Sequence, residues 1–119
     1  MDYKKELEEL VSLVLKEGAS DLHLAQGRHP IVRVNGALIP LIKKSQLTKI
    51  DMEGFVKELV TPANKEIFDK EKEVDFSYSL TSLARFRGNA FNRQEEISIA
   101  LRLIPKKIPT FADLNLPTI

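Results

Sequence analysis

ARFRGNAFNRQEEISIALRLIP, residues Ala84–Pro105, decides the fold. The stretch reads as two strands joined by a short acidic turn, and it holds four of the chain's six arginines. Period-two alternation sends Arg85, Arg87, Asn89, Phe91 and Arg93 to one side of the first strand and Ala84, Phe86, Gly88 and Ala90 to the other. On the returning strand, Ile97, Ile99, Leu101 and Leu103 share a face, with Ser98, Ala100 and Arg102 opposite. A turn centred on Glu95-Glu96 predicts that Arg93 faces Ser98 and Asn89 faces Arg102, and that all four arginines share one face. A slip of one residue would push Arg102 in among the isoleucines and leucines. Arginines gathered on one sheet face must be held by carboxylates, by solvent or by a polyanion.

Outward from this hairpin, Glu73–Leu80 (EVDFSYSL) alternates again, with Val74, Phe76, Tyr78 and Leu80 on one side. Asp75 on the other side is the expected ion-pair partner of Arg85 or Arg87. Asp2–Lys16 carries Leu7, Leu10, Val11, Val14 and Leu15 at helical spacing, with Gly18 as a stop. Asp21–Ala25 alternates like a strand. Residues 31–34 and 37–42 flank Asn35-Gly36, which predicts a hairpin with a type I′ turn. A second helix is expected from about Ile50 to Leu59, capped by Thr48 or Asp51, and a third from Thr61-Pro62 to about Asp69. The order is one helix, three strands, two helices and three strands. This is an α+β domain with a mainly antiparallel sheet and flanking helices.

At 119 residues the chain has the size of one domain. It has no cysteine, which excludes disulfides and thiolate metal sites and suits a reducing compartment. No apolar run is long enough to span a membrane, and the N-terminus is amphipathic, so the expectation is a cytoplasmic protein rather than an integral membrane one. Net charge is +1, yet residues 84–107 hold six basic residues against two acidic ones. After Ile104 the composition turns to proline-spaced linker, which reads as a chain cut from something longer.

No GxxxxGK(S/T), HExxH or GxSxG pattern is present. His23 and Asp21 form a single Asp-x-His, too few ligands for zinc and better suited to hydrogen bonding at a sheet edge; His29 reads as a loop residue. No metal site is expected. The plain alternative for the arginines is a solvated, partly paired face. Against it, lysine outnumbers arginine twelve to six overall, while the hairpin is all arginine. Arginine's planar fork binds phosphate or carboxylate bidentately, as lysine cannot. Phe86 and Phe91 beside arginines evoke base stacking, but Phe86 falls on the apolar face and the chain is near neutral, so nucleic acid is not the expected partner.

ASDLHL at Ala19–Leu24, the hairpin around Arg33 and Asn35-Gly36, then EVDFSYS, ARFRGNAFNRQ, ISIALRLIP and IPTFADLNLP, in that order, resemble the N-terminal domain of the PilT-type pilus-retraction ATPases. These belong to the wider family of secretion and pilus assembly ATPases. The resemblance spans the whole chain and implies a PAS-like domain over residues 1–104. Residues 105–119 then begin the linker to a RecA-like ATPase domain that is missing here. It further implies hexameric rings at the cytoplasmic base of the type IV pilus, at the inner membrane face. In such ATPases, arginines of this domain face nucleotide held by the ATPase domain, and the best matches are Arg87 and Arg102, followed by Arg85 and Arg93. ATP and Mg2+ are then cofactors of the parent, and the domain alone carries no cofactor, binds nucleotide weakly at best and hydrolyses nothing. Partners implied are the ATPase domains of its own and neighbouring subunits in a homohexamer, and the pilus base machinery. The family commonly has a bulkier residue where Gly88 stands, a departure not expected to alter the arginine geometry. The alternative is a free-standing PAS-like sensor or protein-binding module that recognises an anion or an acidic partner. A phosphate-binding loop encoded past Ile119 distinguishes the two.

Overall fold

The computed structural model describes residues 2–81 and 84–104. The expected linker, residues 105–119, lies outside the described residues. The elements are α1 (Tyr3–Glu17), β1 (Asp21–Ala25), β2 (Ile31–Val34), β3 (Ala37–Pro40), α2 (Lys49–Leu59), α3 (Pro62–Glu71), β4 (Glu73–Thr81), β5 (Ala84–Arg93) and β6 (Glu96–Ile104). The strands form one sheet in the order β3-β2-β1-β6-β5-β4, and every neighbouring pair is antiparallel. The α+β class expected from the hydrophobic pattern holds.

Local chemistry explains where the helices begin and end. Asp2 caps α1 by accepting from the Lys5 amide at 3.1 Å, and Gly18 stops it at φ 68°, donating its own amide to the Leu15 and Val14 carbonyls. Thr48 is the cap of α2, and Asp51 is its reciprocal partner three residues on: Thr48 Oγ1 accepts from the Asp51 amide, and Asp51 Oδ2 accepts from the Thr48 amide at 2.9 Å. Thr61 and Pro62 open α3 as cap and first helical residue.

Leu7, Leu10, Val11 and Val14 of α1 are buried; Leu15, expected in that stripe, is 41% exposed. The apolar stripe of α1 and residues Met52, Phe55 and Val56 of α2 cover one sheet face, packed with Leu22, Leu24, Phe86, Ile99 and Leu101, all at most 1% exposed. The other face carries the alternate residues and is not covered by any helix of the described residues. The sheet therefore has one dry face and one open face. This follows from period-two patterning once strands align in register.

The Asn35-Gly36 hairpin forms as predicted, with φ 50° and 82° and Val34 paired to Ala37, although β3 ends at Pro40 rather than Ile42. The second hairpin corrects the predicted register. Its two-residue turn is Gln94-Glu95, both at positive φ (54° and 67°), and Arg93 pairs with Glu96 rather than facing Ser98. The register has moved by two residues, which preserves every side chain's face. The partners change, however: Arg102 stands opposite Arg87, and Asn89 opposite Ala100.

Candidate functional site

Register places a transverse row across the open face: Arg33 on β2, Asp21 on β1, Arg102 on β6, Arg87 on β5 and Ser77 on β4. Arg87 and Arg102 are thus directly opposed like charges, a pairing that by itself costs a sheet stability. Arg102 has a counter-charge on its other side, where Asp21 Oδ2 accepts from its Nε at 3.3 Å. Asp21 is 5% exposed, whereas the side chain of Arg102 is 73% exposed. Among the described residues no carboxylate forms an ion pair with Arg87.

The expected Asp75–arginine pair does not form. Asp75 lies opposite Asn89 and accepts from its amide at 2.8 Å, while Arg87 and Arg85 face Ser77 and Ser79. Asp75 is one row away from Arg87, and the short amide of Asn89 reaches it directly. The sequence-based expectation missed Asp21 because its pairing with Arg102 joins positions 81 residues apart. Arg33 also belongs to the row, and its alternation with the buried Val32 is the sequence signal that could have placed it on this face.

Burial raises the carboxyl pKa of Asp21, but the Ser20 hydroxyl at 2.6 Å and the Arg102 guanidinium outweigh it and hold the group below its usual range. His23 sits one row along β1, an interior strand, so it is not the sheet-edge residue expected; its Nε2 is buried without a hydrogen-bond partner. His29 Nδ1 lies 2.7 Å from the Lys44 carbonyl, a contact within the loops. Between β1, β6, β5 and β4 lies a shallow depression of about 350 Å³, lined by Asp21, His23, Asp75, Arg87, Asn89 and Arg102. Among the described residues, no three His, Asp or Glu side chains gather to hold a metal ion.

The four candidate arginines are not equivalent. Arg87 and Arg102 meet across adjacent strands; Arg85 is in the next row, opposite Ile104. Arg93 lies six residues beyond Arg87, or about 20 Å along the strand, beside Glu96 at the turn. One face thus presents a pair with a neighbour, plus one distant arginine. Such a pair on an open surface suits an oxyanion bearing several oxygens.

This one-faced antiparallel α+β domain matches, in fold and in overall sequence, the N-terminal domain of secretion ATPases. The chain is 32% identical over 111 residues to the type IV pilus retraction ATPase PilT of Pseudomonas aeruginosa, covering 93% of this chain and 32% of that protein. It is 32% identical over 114 residues to the type IV pilus ATPase PilU of the same organism, covering 96% of this chain and 30% of PilU. The crystal structure of the pilus retraction motor PilT with bound ADP superposes with TM-score 0.79 at 28% identity, over 87% of this chain and 30% of that one. The Legionella pneumophila ATPase DotB shares the fold at TM-score 0.74 and 22% identity, over 93% of this chain and 32% of that one. No family model matches the chain.

The chain is a homologue of the PilT-type pilus ATPases, aligned with their N-terminal domain. It spans about a third of the length of the relatives it matches. No helix among the described residues is long and apolar enough to cross a membrane.

Proposed function

We propose that this chain is the regulatory and oligomerising N-terminal domain of a hexameric pilus-retraction ATPase, and that Arg87 and Arg102 face a nucleotide held by a RecA-like domain outside the chain. Arg85 is a supporting cation in the next row, and Arg93 is too distant along the strand to share the same phosphate group. The observation carrying this reading is the direct opposition of Arg87 and Arg102 on the open face. Opposed arginines cost the sheet stability, and a polyanion removes that cost. Nucleotide hydrolysis spreads negative charge over phosphate oxygens, and a well-placed arginine stabilises it by several kcal/mol, about 4–7 kcal/mol for a 10³–10⁵-fold effect. A contact that depends on the terminal phosphate also ties domain orientation to nucleotide state, which a motor requires.

In this reading the isolated domain is not an enzyme, and ATP and Mg2+ bind the parent's ATPase domain. Its partners are the ATPase domains of its own and adjacent subunits and the machinery at the pilus base, on the cytoplasmic side of the inner membrane. The test is steady-state ATP turnover by the full-length parent. Arg87→Ala and Arg102→Ala are each expected to lower kcat by about 10²-fold or more with the fold intact. The isolated chain is expected to show no turnover. Wild-type kcat in both variants would remove the proposed role.

A further inference from the structure

We infer that Asp21 is a positioning residue for the arginine pair: it grips Arg102 by the Nε edge, so that the Nη groups of Arg102 and the guanidinium of Arg87 together present a fork to the phosphate oxygens of a polyphosphate ligand. The inference rests on the reading of the arginines given above and adds a residue that touches no ligand itself.

The geometry divides the carboxylate's work. Oδ1 accepts from the Ser20 hydroxyl at 2.6 Å, and Oδ2 accepts from Arg102 Nε at 3.3 Å. Ser20 is itself clamped by backbone on both sides, its amide donating to the Arg33 carbonyl and its carbonyl accepting from the Leu103 amide, each at 2.9 Å. The carboxylate is therefore located by β2 and β6 rather than by a free side chain. A guanidinium carries five N–H donors, and the grip on Nε leaves those on the two Nη atoms to a second acceptor. Without the grip, repulsion from Arg87 directly across the strand pair would drive the exposed Arg102 head away.

A bystander carboxylate and a positioning one give opposite signs. Removing a negative charge beside an anion site strengthens anion binding by simple Coulomb attraction. Removing a positioning group weakens it, because the fork is lost.

The test titrates inorganic tripolyphosphate into the 119-residue chain at low ionic strength, by calorimetry, with the arginine Nε–Hε signals followed by NMR. Arg87→Ala and Arg102→Ala are each expected to weaken binding about tenfold, equivalent to about 1.4 kcal/mol. Asp21→Asn is expected to weaken it about three- to tenfold and to shift the Arg102 Nε–Hε signal, with Ser20→Ala acting in the same direction more weakly. Arg102→Lys keeps the charge but has no second edge, so it should bind no better than Asp21→Asn. Equal or tighter binding by Asp21→Asn, with both arginine variants impaired, would overturn the role of Asp21 and leave the arginine reading standing. Unchanged binding in both arginine variants, or none by wild type, would remove the site and the role of Asp21 together. Should Asp21→Asn lose its dispersed amide spectrum, Ser20→Ala decides: weaker binding supports positioning, and equal or tighter binding overturns it.

Discussion

Asp21 lies on the open face of the sheet yet is 5% exposed, so its ionisation is linked to folding. Burial raises its pKa, and the Ser20 hydroxyl, then the Arg102 guanidinium, more than reverse this; His23 on the same strand adds a smaller effect in the lowering direction. Arg33 on β2 and Arg102 on β6 are the charged groups facing it from the packed strands. A carboxylate whose pKa is lower in the folded state contributes stability above the unfolded value of about 3.9, and that contribution disappears as pH falls through the folded value. Asp21→Asn is therefore expected to lower chemical-denaturation stability at pH 7, with the deficit shrinking steadily below about pH 5. A deficit independent of pH would show that the carboxylate's charge does not contribute. This carboxylate was not legible in the sequence, where Asp75 looked the better partner. Alternation along one strand reveals faces, but which strand lies beside β6 is a long-range choice that no local pattern records.

The hairpin joining β5 and β6 turns on two residues that both occupy the left-handed region without being glycine, Gln94 at 54° and Glu95 at 67°. That conformation costs roughly 1–2 kcal/mol per residue for side chains with a Cβ. The turn residues most suited to it are Asn and Gly, as the β2–β3 hairpin shows with Asn35-Gly36. Replacing Gln94-Glu95 by Asn-Gly is expected to raise unfolding stability by about 1–2 kcal/mol without changing the register. A loss of stability, or cross-strand NOEs placing Asn89 opposite Arg102, would contradict this turn. The predicted turn was off by one position because Glu95 and Glu96 look alike in sequence. Period two made the error harmless to the face but decisive for the pairing: it is the two-residue shift that brings Arg87 against Arg102. Gly88, between these rows on the dry face, is matched to Phe76, whose ring lies 2.4 Å from where a Cβ would stand. A bulkier residue there requires Phe76 to move, a core adjustment on the face away from the arginines.

The helical layer is tied together by one aromatic contact at the start of the chain. Tyr3 in α1 donates its hydroxyl to Asp51 Oδ1 at 2.9 Å and packs edge-on against Phe55, with ring centroids 5.3 Å apart. The ring occupies the space a Cβ on Gly54 would need, 2.3 Å from that position. Two effects oppose each other at Gly54. Alanine gains about 1 kcal/mol of helix propensity, while displacing Tyr3 loses its packing and its hydrogen bond. Gly54→Ala is thus expected to destabilise the wild type by about 1–2 kcal/mol, yet to stabilise the Tyr3→Ala variant by about 0.5–1 kcal/mol. A double-mutant cycle by urea unfolding checks this, and the same sign in both backgrounds would sink it. The cycle reports on the α1–α2 contact alone, because the arginine face lies on the opposite side of the sheet.

Patterning and turn chemistry were enough to establish the element order, the α+β class, the Gly18 stop and the Thr61-Pro62 start, the dry face and the arginines' shared side. Each depends on neighbours within a few residues, where sterics and hydrogen bonding act directly. Resemblance in ordered motifs carried the relation to pilus ATPases. The strand order was decided only in three dimensions. It seated Asp21 between Arg33 and Arg102 and made β1 an interior strand, while the register of the β5–β6 turn set Arg87 against Arg102. The physical reason is that a sheet pairs residues by register, and register between distant strands is set by how the whole dry face packs beneath the helices.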